Sequence, residues 1–427
     1  MGKGFLFNSG RCVSCGACSA ACILYNGWET RPRNIYVFNK QLRPDTPVMN
    51  MSLACNHCEK APCMEGCPSG ALTRDPLNGA IVLDEIKCLG CRYCQWNCPY
   101  DAPKFNSGKR IIEKCNLCND SSDELPSCTT ACPTGALKFI EIPERNYDNY
   151  PEWFPGKKIS PAFNLAHDSS ELLEIIPAEA FMQKETRSEI KSRESDWSLV
   201  MFSFISMIAV SLQASSFISG TFHGIFFFVL PVFAALFSLF HLGKPFRAWR
   251  AIFNPASSPV SREIIFFLLF SILSIIAAAM KSEVFSLSSS ITGLILLIII
   301  DSVYIKPDRR SFVHSGQTFI SALLLIAYFT GNILPFTFIV ILKVILSAGK
   351  LREKNLQALR FLRIAALLVT WAGLFSGFAD ASLPVTSIIL ATELLDRILF
   401  YIDFKPENIR LVTGKYINDL NYEKKRG

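Results

Sequence analysis

Sixteen cysteines lie between Cys12 and Cys132, and none follows in a chain of 427 residues. They fall into four groups of four: Cys12, Cys15, Cys18 and Cys22; Cys55, Cys58, Cys63 and Cys67; Cys88, Cys91, Cys94 and Cys98; and Cys115, Cys118, Cys128 and Cys132. The first and third groups share the spacing C-x2-C-x2-C-x3-C, and every group ends on an x3 step. Little else in this region can form an apolar core, so the fold must be built around whatever the thiols hold. Zinc knots offer cysteine pairs separated by a dozen or more residues, unlike four cysteines within eleven. A disulfide-stapled secreted scaffold fits no better. Met1 to Gly10 has neither the apolar stretch of a signal peptide nor a twin arginine.

The spacing suits iron–sulfur cubes. Three closely spaced cysteines can wrap a loop around one face of a cube, while the fourth points away and ligates a different cluster, the pattern of two-cluster bacterial ferredoxins. On that analogy the second and third groups form one ferredoxin-like unit, and the first and fourth form another that closes around it. Four [4Fe-4S] clusters are then expected. Their ligand sets are Cys12, Cys15, Cys18 and Cys132; Cys115, Cys118, Cys128 and Cys22; Cys55, Cys58, Cys63 and Cys98; and Cys88, Cys91, Cys94 and Cys67. An internal echo supports the duplication: Cys67-Pro-Ser-Gly-Ala-Leu72 matches Cys132-Pro-Thr-Gly-Ala-Leu137. Proline also follows Cys98, whereas Ile23 stands after Cys22. Ala80 to Asp84 and Leu137 to Glu141 read as short strands. His57, between two ligands of the second group, reads as a hydrogen-bond donor near a cluster or a surface residue rather than an iron ligand.

Residues 142–196 change character, with five prolines from Pro143 to Pro177 and a charged run from Lys184 to Glu194. They read as a surface connection with one or two helices, or as a strap for a partner through Trp153 and Phe154. Beyond them the chain becomes apolar. A span needs about 20 apolar residues, and eight candidates follow, near 197–217, 221–242, 263–280, 287–305, 312–331, 333–349, 362–379 and 383–402. The expected fold is therefore an α+β bacterial-ferredoxin-like domain (1–141), a linker (142–196), an all-α eight-helix transmembrane bundle (197–402) and a polar tail (403–427). The net charge of +7 sits mostly beside the apolar runs, which suits a membrane and not nucleic acid. Lys and Arg cluster after the even-numbered spans, and the opposite turns hold only Lys281. The positive-inside rule then puts the cysteine-rich domain on the cytoplasmic side of the inner membrane, with the periplasmic side as the alternative.

At the end of the second span stands His241-Leu-Gly-Lys-Pro-Phe-Arg247, and Glu263 opens the third. A chain of clusters facing a membrane needs a lipid-soluble two-electron partner, and a quinol fits. Oxidising it needs an acceptor for the phenolic proton and a carboxylate to pass that proton on. His241 suits the first role and Glu263 the second. Gly243 lets a ring approach the backbone, and Arg247 can orient the ring oxygen or the glutamate.

These motifs resemble a known family. Residues 1–140 look like the four-cluster electron-transfer subunit of the dimethyl sulfoxide reductase-type molybdopterin oxidoreductases. Residues 197–402 resemble that enzyme's eight-span membrane anchor, through His-Leu-Gly-x-Pro-x-Arg and the following glutamate. The chain looks like a fusion of the two. The resemblance implies menaquinol as donor, with His241, Gly243, Arg247 and Glu263 as the matching positions. It also implies a separate molybdopterin catalytic subunit that reduces dimethyl sulfoxide or a similar S- or N-oxide, since this chain carries no molybdenum site. Sulfite oxidation feeding the quinone pool is the same wiring reversed. A redox-linked ion transporter is the alternative of another class, resting on Glu393, Asp396 and Arg397. No haem is expected, although His241 with His314 is one conceivable ligand pair; His223 lies far from His241 on the same span. Glu393 and Arg397, four apart, are expected to pair, and Asp301 and Lys343 to be structural or to snorkel.

Overall fold

A computed structural model describes residues 2–38, 49–119, 125–142, 159–166, 197–220, 224–304, 314–348, 356–376 and 382–404. The stretch from Lys184 to Glu194, Trp153, Phe154, His223 and the tail beyond Phe404 lie outside them. The described residues form two compact units. The first takes its parts from 2–166 together with Gly243–Ser258, and the second from 197–242 and 259–404.

In the first unit, strand β1 (Gly2–Phe7) is the centre of a three-stranded sheet. It runs antiparallel to β8 (Leu137–Ile142) and parallel to β9 (Phe163–Leu165). Alternation along β1 sends Phe5 and Phe7 to one face, beside Phe163, Leu165 and Leu137, and all five are buried. β9 lies inside the interval read from sequence as linker, so part of that interval completes this sheet. Three hairpins complete the strands: β2 (Asn34–Phe38) with β3 (Met49–Leu53), β4 (Leu72–Arg74) with β5 (Ile81–Leu83), and β6 (Lys104–Asn106) with β7 (Ile111–Glu113). Four short helices each carry a cysteine: α1 (Ala17–Asn26), α2 (Pro62–Glu65), α3 (Tyr93–Asn97) and α4 (Ser127–Thr130). α1 packs on α4 and α2 on α3. Helices from the first and fourth groups are thus neighbours, as are those from the second and third. β8 begins two residues after Gly135, whose φ of 61° a Cβ would strain. Gly70 plays the same part before β4, with φ 60°.

The second unit holds eight described helices: α5 (Trp197–Ser219), α6 (Phe226–Phe240), α7 (Pro259–Met280), α8 (Glu283–Ser302), α9 (Thr318–Phe329), α10 (Ile333–Ala348), α11 (Gln357–Phe375) and α12 (Leu383–Asp403). They fall where the apolar runs predicted helices. Four of them, α5, α7, α8 and α11, are long and apolar enough to cross a membrane, and the number is five if α6 and the short helix bent away after it count as one span. α9 and α10 are shorter apolar helices, and α12 carries Glu393, Asp396, Arg397 and Asp403. α5 is the most enclosed of the four and packs on α6, α8, α9 and α12. Its buried residues mix Phe202, Met207 and Val210 with Ser203, Ser206, Ser211 and Ser215. Ser203 and Ser211 return hydrogen bonds to carbonyls of their own helix, so close packing leaves neither hydroxyl unmatched. Gly293 on α8 lets Val210 and Phe270 approach so closely that a Cβ would stand 2.8 Å from the valine.

Candidate functional site

Each cysteine loop turns on a left-handed residue immediately before its second cysteine: Ser14 (φ 56°), His57 (41°), Gly90 (67°) and Leu117 (61°). Only Gly90 takes that conformation without steric cost. Strain repeated at this place in three of the four loops marks a shared functional constraint. It reverses the chain, so that two thiols and the intervening amides face the same space. The Leu117 N–H, for example, points at the Cys115 sulfur, 3.5 Å away. Spacing alone does not show this device.

Each fourth cysteine has neighbours in another group. Cys132 lies in electrostatic reach of Cys12, together with Cys15 and Cys18. Cys22 is a neighbour of Cys128 and Cys118, and also of Cys115. Cys98 stands beside Cys58, Cys55 and Cys63. Cys67 stands beside Cys91, Cys88 and Cys94. Cys67, Cys88, Cys91 and Cys94 also line one pocket, walled otherwise mainly by Ala71, Leu72, Leu83, Leu89 and Ile112. Such a set suits a compact inorganic cluster: four soft thiols at the wall of an apolar hole. A zinc ion gathers its ligands at one point, about 2.3 Å from each sulfur. Among the described residues no three His, Cys, Asp or Glu side chains converge in that way.

Burial and the nearness of other cysteines disfavour the thiolate at several of these positions. Desolvation pushes Cys22, Cys91 and Cys98 up to about 12, and neighbouring cysteines add to the rise in Cys22 and Cys91. Iron supplies the positive charge that ionises such thiols outright. Cys132 moves the other way: hydrogen bonds from the backbone at Leu137, Thr134 and Ala136 and from the Thr134 hydroxyl outweigh its modest desolvation. A fully buried cation, Arg33, sits among Cys128, Cys115, Cys18 and Cys22 and over the Phe5 ring at 4.6 Å. Burial disfavours its charge, and the thiols more than offset that cost. Sequence reasoning misses Arg33, because nothing local ties it to cysteines of two groups. His57 is buried, and its Nδ1 accepts the Ile81 N–H at 2.8 Å. The histidine is therefore an acceptor in the loop's framework and no surface residue.

The four residues matched to a quinol site divide. His241 caps the end of α6, and its backbone N–H donates to Leu239. Glu263 lies in the first turns of α7, in electrostatic reach of Arg397, Tyr304 and Tyr401. Both belong to the second unit. Gly243 and Arg247 belong to the first. The Arg247 guanidinium donates to the carbonyls of Glu85 (2.8 Å) and Cys88 (3.1 Å). Gly243 meets Gly90 and the Arg110 carbonyl so closely that a Cβ would clash with the Arg110 oxygen and crowd Gly90. The arginine near the glutamate is thus Arg397, supplied by a helix far along the chain.

One other expectation changes, and two open readings narrow. Glu393 does not pair with Arg397. It accepts from Lys343 at 2.8 Å, while Arg397 faces Asp301 at 3.5 Å and the rings of Phe400 and Tyr401. Lys343 does not snorkel: it is fully buried and also meets Asp396 at 3.1 Å and the Ser315 carbonyl at 2.6 Å. Two carboxylates and a carbonyl within reach make burial less costly than it would be for an unpaired ammonium. Both ring nitrogens of His314 are committed, Nε2 to Asp403 at 3.1 Å and Nδ1 to the Gly316 N–H at 2.8 Å.

Comparison with known proteins supports an iron–sulfur domain. Residues 47–142 match the 4Fe-4S dicluster domain. Over 154 residues the sequence is 38% identical to a component of the anaerobic dimethyl sulfoxide reductase of Haemophilus influenzae, covering 33% of this chain and 75% of that protein. It is 34% identical over 179 residues to a component of the sulfite dehydrogenase of Allochromatium vinosum, again covering 33% and 75%. The thiosulfate reductase electron transfer subunit of Salmonella typhi is 35% identical over 149 residues, covering 33% of this chain and 76% of that protein. The chain belongs to this family of 4Fe-4S dicluster subunits of oxidoreductase complexes. The similarity lies in its amino-terminal third, and the apolar helices that follow fit the fusion of an iron–sulfur subunit with a membrane anchor.

Proposed function

We propose that this chain is the electron-transfer and membrane-anchor subunit of a molybdopterin oxidoreductase. It oxidises menaquinol at the membrane and serves a separate catalytic subunit that reduces dimethyl sulfoxide or a related S- or N-oxide. The observation that carries this reading is the nearness of fourth cysteines to the cysteines of another group, Cys132 to Cys12 and Cys67 to Cys91, in a chain that continues into apolar helices. The sixteen thiols would hold four [4Fe-4S] clusters in the sets given above. When bound, those clusters supply one-electron transfer between quinol and the catalytic partner. Arg33 offsets negative charge where two of the sets adjoin.

His241 is assigned the phenolic proton of the quinol, and Glu263 its onward transfer. Arg397, Tyr304 and Tyr401 surround Glu263 with a cation and two hydroxyls, groups able to orient a carboxylate. In membranes carrying the whole complex, His241→Ala or Glu263→Gln should abolish quinol-to-acceptor turnover while the cluster signals persist in electron paramagnetic resonance. Unchanged turnover in both variants rejects the site.

The reverse flow has its own support, since a sulfite dehydrogenase component is among the relatives. Oxidation of sulfite with reduction of the quinone pool would use the same residues. Substrate assays in both directions on the purified complex separate the two. The cytoplasmic placement of the iron–sulfur domain rests on the lysines and arginines after the even-numbered spans. A reporter fused after Gly427 and active only in the periplasm would overturn it.

A further inference from the structure

The segment between α6 and α7 contains a 310 helix, Pro245–Ile252. Runs of this helix beyond three or four residues are uncommon. This one has eight residues. Its sequence explains why it forms. Phe246-Arg-Ala, Trp249-Arg-Ala and Ile252 repeat with a period of three, and a helix of three residues per turn stacks like upon like.

Three faces result. Ala248 and Ala251 form a small one, and Ala251 is fully buried. Arg247 and Arg250 form the second. Arg247 holds the Glu85 and Cys88 carbonyls, and Arg250 the Ile86 carbonyl at 2.7 Å. The flanks extend this grip. Lys244 N–H donates to Leu89 at 2.9 Å, Asn254 Nδ2 to the Cys67 carbonyl at 2.9 Å, and the Ser258 hydroxyl to Gly66 at 2.9 Å. Every one of these acceptors lies in the loops that present Cys67, Cys88, Cys91 and Cys94. The third face is Phe246, Trp249 and Ile252. Phe246 is 96% exposed and Trp249 59%, with Phe253, also exposed, edge-on to the tryptophan at 5.6 Å.

We infer that this third face is seated in the headgroup region of the lipid bilayer, so that one short helix pins the Cys67–Cys88–Cys91–Cys94 site at the membrane surface. Three observations favour lipid over a protein partner. The segment leads directly out of one apolar helix and into another, and the second, α7, is long enough to span. Trp and Phe with adjacent arginines are the residues that settle at a membrane–water interface. The polar face is already occupied by the chain's own carbonyls, which leaves only an aromatic surface for an outside partner. The inference rests on the membrane reading of the helices and adds the place where the cluster domain is fastened.

The test uses the full chain with its clusters, in bilayer discs of phosphatidylcholine and phosphatidylglycerol. These carry a diazirine lipid whose reactive group lies either at the headgroup or at the acyl terminus. After irradiation, adducts are mapped by mass spectrometry. Headgroup-probe adducts are expected on 245–253, and acyl-terminus adducts on the middle of α7 but not on 245–253. In F246S/W249S the headgroup-probe adducts on 245–253 should fall several-fold while α7 labelling is unchanged. Labelled α7 with no headgroup adducts on 245–253 overturns the inference and leaves the membrane reading standing, with another protein or a second copy covering the face. Undiminished labelling in the double variant also overturns it. Absence of adducts from α7 as well would remove the membrane reading itself.

Discussion

Gly243 shows how a single residue can be legible in kind while its neighbours are not. Its lack of a side chain suggests close approach, and a quinone ring is the visitor that the sequence suggests. The visitor is the chain's own backbone at Gly90 and Arg110. Gly243→Ala should therefore weaken the docking of Gly243–Ser258 whether or not quinol is present. The expected cost is about 1–3 kcal/mol, as for other overpacked contacts, read as an earlier loss of cluster absorbance in a denaturant titration. Arg247 is a parallel case, with its guanidinium committed to the Glu85 and Cys88 carbonyls. Lys343 is a third. Removing one member of a buried ion pair leaves its partners uncompensated, typically at about 3–5 kcal/mol. Lys343→Met, which strands Glu393 and Asp396, should lower the midpoint of thermal unfolding of the helical unit in detergent. The double variant Lys343→Met/Glu393→Gln should recover part of the loss.

At the scale of elements, the cysteine loops make the exchange testable. Cys12 and Cys132 belong to different sequence groups but face one another. Removing either should therefore disable the same cluster, and removing both should do no further harm. Iron content in Cys12→Ser, Cys132→Ser and the double variant should fall equally, by up to about four atoms per chain. A double variant that loses twice the iron of each single one would mean that each group serves its own cluster. The x2 spacings and the Cys-Pro-x-Gly-Ala-Leu echo are enough to foresee these loops, because a ligand turn and the strand after it are local. The eight helices are legible for a similar reason: a long apolar run has few other ways to satisfy its backbone. How many of them cross the bilayer is less local, since α9 and α10 are short and α12 is rich in charge.

For the whole molecule, the first unit has small sheets and a core in which cysteines take a large share. Its thiols must lose protons to bind metal, so affinity weakens on acidification. Cys22, Cys91 and Cys98 are pushed up to about 12 when free, and protons therefore compete with iron throughout the neutral range. Iron chelation should unfold the first unit while the helical signal of the second persists. In circular dichroism of the detergent-solubilised chain, the expected result is a partial loss of ellipticity, completed faster at pH 5.5 than at pH 8. Simultaneous collapse of both units would contradict it.

The order of residues by itself determined the cysteine groups, the duplicated turn and the apolar helices, because each is set by spacing over a dozen residues or by one long run. Only the tertiary structure decided the partners. Arg397 in place of Arg247 beside Glu263, Lys343 in place of Arg397 beside Glu393, β9 as the third strand of a sheet, and Arg33 among thiols of two groups all join residues distant in the chain. A charged side chain reads the same in sequence wherever its counter-charge lies. Its partner is chosen when burial makes an unpaired charge too costly to keep, and that choice exists only once the chain has folded.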